Sequence, residues 1–595
     1  MCGIIGTTEL DIPEKILKKG LSLMTNRGPD FKKLHKDKFG YFGHSRLAII
    51  DLEDRSNQPF EYIHNNKSIL LTFNGEIYNY IELRRELTNK GYLFSTSSDT
   101  EVIAASFIEW GYSCFDRFTG MWALAIFFDD KIILARDRVG KKPLYYSISD
   151  QNKLSFSSSI KSLSLISGQT QICKNGTELY FALGFIPKNH TILKNIFKVE
   201  PGLIKVFSKN SKGYFLSLSL KSIFKVSSEA SNLNLKEIFK EAIRLRNISD
   251  VPVATLMSGG VDSTLVSVIT KSIKPNIESF FVDFENKKFS ESKWAQYLSN
   301  RNNIKLSTFL MNTNDLNEGY KDFYKAYEEP FADYSGIPSI AIFKKISKKY
   351  KVVLTGDGGD ELFYGYPHYF KKLIIYKLFS IIKLFINTNL ISTSIKNIVG
   401  DKKYKFESNY LKNHGLVTRF SSNIINKYFN KSISDNKSFL KGIIDYDRSF
   451  YNLPEKYLVK VDRASMYSSV EVRSPFLDES LLQHVKKIPI IFLFTPFSKK
   501  LFLKIKYFNI FGLRYLFAKK TGFTPPIQEL RNKYFSDKDY DFTKKNLKLI
   551  SSELYNLASQ ITFDKLKKDK ILFDRFFFFH KWLKINKGNY NLKNN

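Results

Sequence analysis

Cysteine is scarce: Cys2, Cys114 and Cys173 are the only three in 595 residues. Thiols so few and so far apart make neither a disulfide framework nor a metal-ligand set. No apolar signal-peptide core follows Cys2, so a cytoplasmic location is expected. Basic residues are plentiful, 92 against 58 acidic for a net charge of +34, yet no Lys/Arg block exceeds a few residues. Polyanion binding needs a clustered patch, so no specific nucleic-acid partner is expected. The joint richness in Lys, Ile, Phe, Asn and Tyr reads instead as the bias of A/T-rich coding. Long apolar runs are lacking too. The strongest, from Leu373 to Val399, is broken by Lys377 and Lys383 and falls short of the roughly 20 apolar residues of a membrane span. It reads as an amphipathic helix packed on the protein, and Phe576 to Phe579 read as core. There is no internal repeat. There is also no GxxxxGK[ST] loop, so γ-phosphate transfer is not expected.

What is present points to more than one domain, because 595 residues exceed a single hydrophobic core. Residues 1–205 are strand-rich: YFGHSRLAIIDL, SILLTFNGEIYNY, MWALAIFFDD and KIILARD are short β-branched and aromatic runs bounded by Gly, Asn and Asp. IELRRELTNKG reads as a helix ending on glycine. A layered α+β domain is expected here. The Ser/Lys/Asn-rich stretch 206–232 is expected to be a linker. Residues 233–595 then alternate strand, Gly-rich turn and helix before becoming mostly helical beyond about 370. That order predicts an α/β parallel sheet with a nucleotide at its carboxyl edge and a helical C-terminal part.

Cys2 stands directly after the initiator methionine. Methionine removal would give one residue both a thiol and a free α-amine, whose reference pKa of about 8 suits it as a base toward that thiol. Around it the sequence supplies what hydrolysis of a glutamine side chain needs. Asn74 and Gly75 of FNGEIYN offer a side-chain amide and a backbone N–H for an oxyanion. Arg46 of HSRLAIIDL can hold an α-carboxylate bidentately. Asp99, with Glu76, can accept from an ammonium. Each has a plainer reading: Asn-Gly makes a good turn, Arg46 can be a surface ion pair, and Asp99 can cap the helix that follows.

LMSGGVDST sits on a predicted strand-to-helix turn. Ser258, Gly259, Gly260, Asp262 and Ser263 would place small residues and backbone N–H groups around phosphates, with Asp262 a Mg2+ ligand. In TGDGGDELFYGY, Asp357, Asp360 and Glu361 would repel one another without a cation, and Asp360 is the second expected Mg2+ ligand. Lys460 of KYLVKVDRASM is placed to neutralise departing pyrophosphate. Asp462, Arg463, Glu471 and Arg473 read as a structural ion-pair lattice.

MCGIIG, TNRGPD, HSRLAIIDL, NGEIYNY, SDTEVI and ARDRVGKKPLYY resemble the class II glutamine amidotransferase domain fused to asparagine synthetases. SGGVDS resembles the loop of enzymes that split ATP into AMP and pyrophosphate. With EEPFADYSGIP, the motifs resemble asparagine synthetases over nearly all of the chain. The resemblance implies Cys2 as nucleophile, Asn74 and Gly75 as oxyanion hole, and Arg46, Asn74, Glu76 and Asp99 around glutamine. It implies ATP at Leu256, Ser258, Gly259, Gly260, Asp262, Ser263, Val282, Thr355 and Gly356, with Mg2+, and Asp357 and Lys460 as catalytic groups. Glutamine, ATP and aspartate, or another carboxylate such as a uronic acid, are the implied substrates, and a homodimer the implied assembly. An RNA-modifying ATP pyrophosphatase is a further alternative. The chain departs from the pattern at Ser159 and Glu328, and at Asp357, where the best-known synthetases carry Glu.

Overall fold

Alternation of side chains along short strands builds two antiparallel sheets from the first 221 residues. The computed structural model describes residues 2–222, 233–285, 292–366, 452–493, 498–518, 531 and 533–592. The first sheet runs β10 (Phe197–Lys198), β8 (Tyr145–Ile148), β9 (Leu154–Ser157), β1 (Gly3–Thr7), β3 (Gly40–Arg46), β2 (Phe31–Asp37). The second runs β12 (Gly213–Lys221), β11 (Leu203–Asn210), β7 (Lys131–Arg136), β6 (Gly120–Phe128), β5 (Lys67–Ile77), β4 (Phe60–His64). Strand β6 shows how the layers stack. Ala123, Ala125 and Phe127 pack between the sheets with Ile4 and Phe42. Trp122, Leu124 and Ile126 point the other way, against α2 (Tyr80–Asn89) and α3 (Asp99–Trp110). On the far side, Leu17 and Leu21 of α1 (Glu14–Ser22) and Leu163 of α4 (Ile160–Ser167) cover Ile5 of β1. The result is a layered αββα domain.

The stretch expected to link the domains is a strand over much of its length. Residues through Lys221 extend the second sheet by way of the β11–β7 and β11–β12 pairings. Strand β12 lies at the sheet edge and leaves Phe215 to Ser219 exposed, so pairing with β11 rather than burial holds it as a strand. Residues 223–232 and the apolar 373–399 stretch lie outside the described residues.

The third sheet is parallel throughout, ordered β15 (Lys305–Met311), β14 (Glu278–Phe284), β13 (Val253–Leu256), β16 (Val352–Leu354), β17 (Glu471–Arg473). The strand order reverses between β13 and β16, where open α/β sheets bind ligands. SGGVDS follows β13 and TGDGGDE follows β16, so both loops open at that reversal. Among the described residues beyond 452 the chain is mostly helical. Phe576 to Phe579 are fully buried on α7 (Lys570–Asn586), a helix covered on all sides. Helix α7 packs on both domains: Phe181 touches Phe576 and Phe579, and Phe323 touches Phe578. Among the described residues no helix is long and apolar enough to cross a membrane.

Candidate active sites

Cys2 precedes β1 and lies buried at the bottom of a small cavity that Arg46, Gly75, Glu76 and Asp99 also border. Its backbone N donates to Asn74 Oδ1 at 3.1 Å. Burial raises the thiol pKa, opposed by the Leu47 amide and the Arg46 guanidinium. Asn74 is itself fully buried on β5, with Nδ2 3.5 Å from Ser158 Oγ. Gly75 is required by the close approach of β6, since a Cβ there would stand 2.2 Å from the Met121 carbonyl oxygen. The strand geometry thus carries the Asn-Gly pair of the expected oxyanion hole beside the thiol.

Asp99 is not the cap of α3. Ser98 holds that position and accepts from the Thr100 N–H at 3.0 Å. Asp99 instead faces the cavity with Oδ2 accepting from the Ile77 N–H at 2.9 Å, and burial pushes its pKa up to about 6. Arg46 is not a surface ion pair. Its guanidinium donates to the carbonyls of Glu53 at 2.9 Å, Ile50 at 3.3 Å and Asp51, and to Asn57 Oδ1 at 2.8 Å. It therefore pins the 50–57 loop over the cavity. Glu76 lies 3.4 Å from Arg473 Nη2 of the other domain. Burial and then the Glu471 carboxylate push its pKa well above the usual range, against Arg473.

The second cavity, of about 300 Å3, opens at the sheet's reversal point. Its wall gathers Leu256, Ser258, Gly260, Asp262, Ser263, Val282, Thr355, Gly356, Asp357, Asp360 and Lys460. Apolar side chains, among them Phe280, Phe284 and Phe343, complete it. Gly260 is the N-cap of α5 (Val261–Ile273) and has no side chain to occupy the first-turn amides, which leaves them for an anion. Gly259 stands off the wall. Its φ is +73°, and its carbonyl accepts from Tyr515 Oη at 2.5 Å. Gly359 brings the two loops together, for a Cβ on it would lie 2.5 Å from Asp262 Oδ1.

Asp262 and Asp360 converge on one cation that the sequence did not single out. Lys500 Nζ contacts Asp262 Oδ2 and stands 2.5 Å from Asp360 Oδ1. Burial works against its charge, but the two carboxylates outweigh it and hold Lys500 above the usual lysine range. Two carboxylates that converge on one point suit Mg2+, which takes one or two carboxylates and completes its shell with phosphate and water oxygens. No cluster of three metal-ligating side chains occurs among the described residues.

The two cavities are tied by buried ion pairs. Of the four residues expected to form a lattice, Arg473 and Glu471 pair with each other at 2.6 Å, whereas Asp462 pairs with Arg27 at 2.8 Å and Arg463 with Glu328 at 3.3 Å; Arg473 also meets Glu76 at 3.4 Å, so the Arg27–Asp462 and Arg473–Glu76 pairs cross the domains. Glu328 also accepts from Ser159 Oγ at 2.6 Å, so two positions that depart from the family pattern touch each other. Arg27 lies within TNRGPD and was legible only as part of that motif. Gln58 and Thr100, joined at 3.1 Å on the first cavity's wall, gave no sequence signal.

Comparison with known proteins agrees with this two-site layout. Residues 1–215 match the family model for a glutamine amidotransferase domain, and residues 234–545 that for asparagine synthase. The chain is 30% identical to asparagine synthetase [glutamine-hydrolyzing] 1 of Bacillus subtilis over 565 residues, covering 89% of this chain and 87% of that protein. It is 31% identical to a putative asparagine synthetase [glutamine-hydrolyzing] 2 of Methanocaldococcus jannaschii, covering 78% of this chain and 98% of that one. Amidase chyE of Penicillium rubens is 29% identical over 378 residues, covering 59% of this chain and 55% of that protein.

Proposed function

The chain belongs to the asparagine synthase family, and from that premise we propose that it hydrolyses glutamine at Cys2, adenylates aspartate with Mg·ATP and amidates it to asparagine. The observation that carries the reading is the pairing of two cavities in one chain. One holds a thiol beside an Asn-Gly pair, and the other holds an uncapped helix N-terminus facing two carboxylates.

In the first cavity the freed α-amine of Cys2 takes the thiol proton, and the sulfur attacks the glutamine amide carbon. The Asn74 side chain and the Gly75 N–H stabilise the oxyanion. Arg46, which braces the 50–57 loop, and Glu76 border the amino-acid end of glutamine, with Asp99 on its ammonium. Collapse breaks the C–N bond, the α-ammonium returns its proton to the departing ammonia, and water hydrolyses the thioester to glutamate. In the second cavity an aspartate carboxylate oxygen displaces pyrophosphate from the α-phosphorus of ATP. The α5 amides and Ser258 bind the phosphates, and Lys460 neutralises the leaving charge. Mg2+ held by Asp262 and Asp360 supplies further charge neutralisation when bound. Ammonia then attacks the acyl carbon, loses a proton, and AMP leaves. Ammonia must cross between the cavities unprotonated, through apolar surroundings. One apolar cluster contains Leu47, Ile49 and Ile50 of the first wall and Met257 of the second, which supports such a path.

The test is asparagine and pyrophosphate formation from ATP, glutamine and aspartate, paired with growth of an asparagine auxotroph carrying this gene. Asparagine formed in step with pyrophosphate is the expected result. An active glutaminase that makes no asparagine but releases pyrophosphate with a uronic acid or its nucleotide sugar would move the acceptor to polysaccharide carboxylates. Asp357, one methylene shorter than Glu, is the residue that makes this outcome worth measuring.

A further inference from the structure

Lys141 belongs to the glutaminase domain, yet its ammonium reaches into the other one. It lies between β7 and β8, where Asp137 Oδ1 holds its backbone N–H at 2.8 Å. Its Nζ donates at 2.6 Å to Oγ of Ser474, the residue after β17. Ser474 Oγ lies 3.4 Å from Thr355 Oγ1, which donates at 2.5 Å to Asp357 Oδ2. The proton positions follow from the two ends. Thr355 gives its proton to the carboxylate and so accepts from Ser474, and Ser474 then accepts from the ammonium, which can only donate. The chain is polarised in one direction, from cation to carboxylate, with charge assistance at both ends. Lys141, Ser474 and Thr355 are 4%, 3% and 5% exposed, so water scarcely competes for these contacts. Burial disfavours the charge on Lys141, and Asp357 is the first group that opposes this. The carboxylate at the end of the chain lines the ATP cavity.

We propose that Lys141 is a positioning residue for the synthetase reaction, supplied by the glutaminase domain, which fixes Asp357 through Ser474 and Thr355. The proposal rests on the reading of the Asp357 cavity as the adenylation site. It makes that site incomplete without the glutaminase domain, even when free ammonia replaces glutamine. A lysine outside the synthetase fold thereby governs synthesis without touching glutamine hydrolysis.

Lys141→Met and Ser474→Ala separate these roles. Each is assayed for pyrophosphate release from ATP with aspartate and ammonium chloride, and for glutamate release from glutamine without ATP. The expected result is a fall of about tenfold in kcat for pyrophosphate release, with KM for ATP and glutamate release both within about twofold of wild type. The double variant should be no slower than the slower single one, because both changes cut one chain. Ser474→Ala alters no glutaminase residue and decides the matter if Lys141→Met does not fold. Wild-type pyrophosphate release in the folded variants, a change in KM for ATP alone, or equal loss of both activities would overturn the proposal. A wild-type protein that cleaves glutamine but releases no pyrophosphate would instead overturn the adenylation reading, before any variant is made.

Discussion

Arg27 clasps Asp462 with two guanidinium nitrogens, at 2.8 and 3.3 Å, and donates its Nε to the carbonyl of Cys2 at 3.2 Å. Both side chains are buried, so the pair is little screened. Asp462 lies on α6 (Leu458–Met466), two residues beyond Lys460 and one beyond Val461, both on the wall of the second cavity. The backbone of Cys2 is therefore tied through Arg27 to a helix of the other domain, and that helix also lines the other cavity.

Asp462→Asn should weaken the glutaminase more than the ammonia-driven synthetase. The amide cannot balance the Arg27 charge, and breaking a buried pair costs about 3–5 kcal/mol. Glutamate release should fall at least about tenfold as Cys2 loses its fixed carbonyl. Pyrophosphate release with ammonium should fall much less, and the melting temperature should drop. A folded variant with unchanged glutamate release would show that the clasp does not position Cys2.

Cys2→Ala should abolish glutamine-dependent amidation and leave synthesis from ammonium salts intact, because the thiol and the carboxylate pair border separate cavities. Parallel assays with glutamine and with ammonium chloride decide it. Loss of both activities in a folded variant would rule out two separable sites.

The sequence made legible whatever the chemistry packs into short segments. Cys2 after the initiator methionine, the Asn74-Gly75 pair and the SGGVDS turn each mark their chemistry locally, and Cys2, Gly75 and residues of that turn border the cavities. Residues that act across long separations were not legible. Lys500 meets Asp262 from 238 positions away with nothing local to mark it, and Lys141, legible only as part of the ARDRVGKKPLYY motif, meets Ser474 from 333. The 206–232 stretch reads as a linker from its Ser, Lys and Asn content, because the long-range pairing of β11 with β7 and β12 leaves no mark in that composition. The Asp99 ambiguity yielded only to geometry, since Ser98 and Asp99 are adjacent and either can cap a helix.

Asp262→Asn and Asp360→Asn should each abolish pyrophosphate release while glutaminase activity survives. Each change removes half of the carboxylate pair and leaves the buried Lys500 with one partner. Lys500→Met should retain fold and glutaminase but lower pyrophosphate release by about a hundredfold, as expected when one preorganised charge contact is lost. Pyrophosphate release near the wild-type rate in either carboxylate variant would refute the metal assignment.

Lys142 provides the last prediction, one of stability rather than rate. It is fully buried, and among the described residues its Nζ has no hydrogen-bond partner. Burial pulls its pKa down to about 8 from the ordinary 10.5, although the carboxylates of Glu471 and Asp462 oppose the shift. The unfolded chain therefore binds this proton more tightly than the folded one. Between about pH 8 and 10.5 the unfolded state carries the extra proton, so stability should rise with pH across that window. Below it the penalty is fully present, of order 3 kcal/mol if the whole shift is realised. Lys142→Met keeps the length and apolar stem while removing the charge, so it should raise the melting temperature at pH 7. It should also flatten the rise in melting temperature between pH 7 and pH 10 that the wild-type protein is expected to show. Thermal unfolding of both proteins at several pH values checks the two statements together. A lower melting temperature for the variant at pH 7 would mean that the ammonium is paired and stabilising in solution.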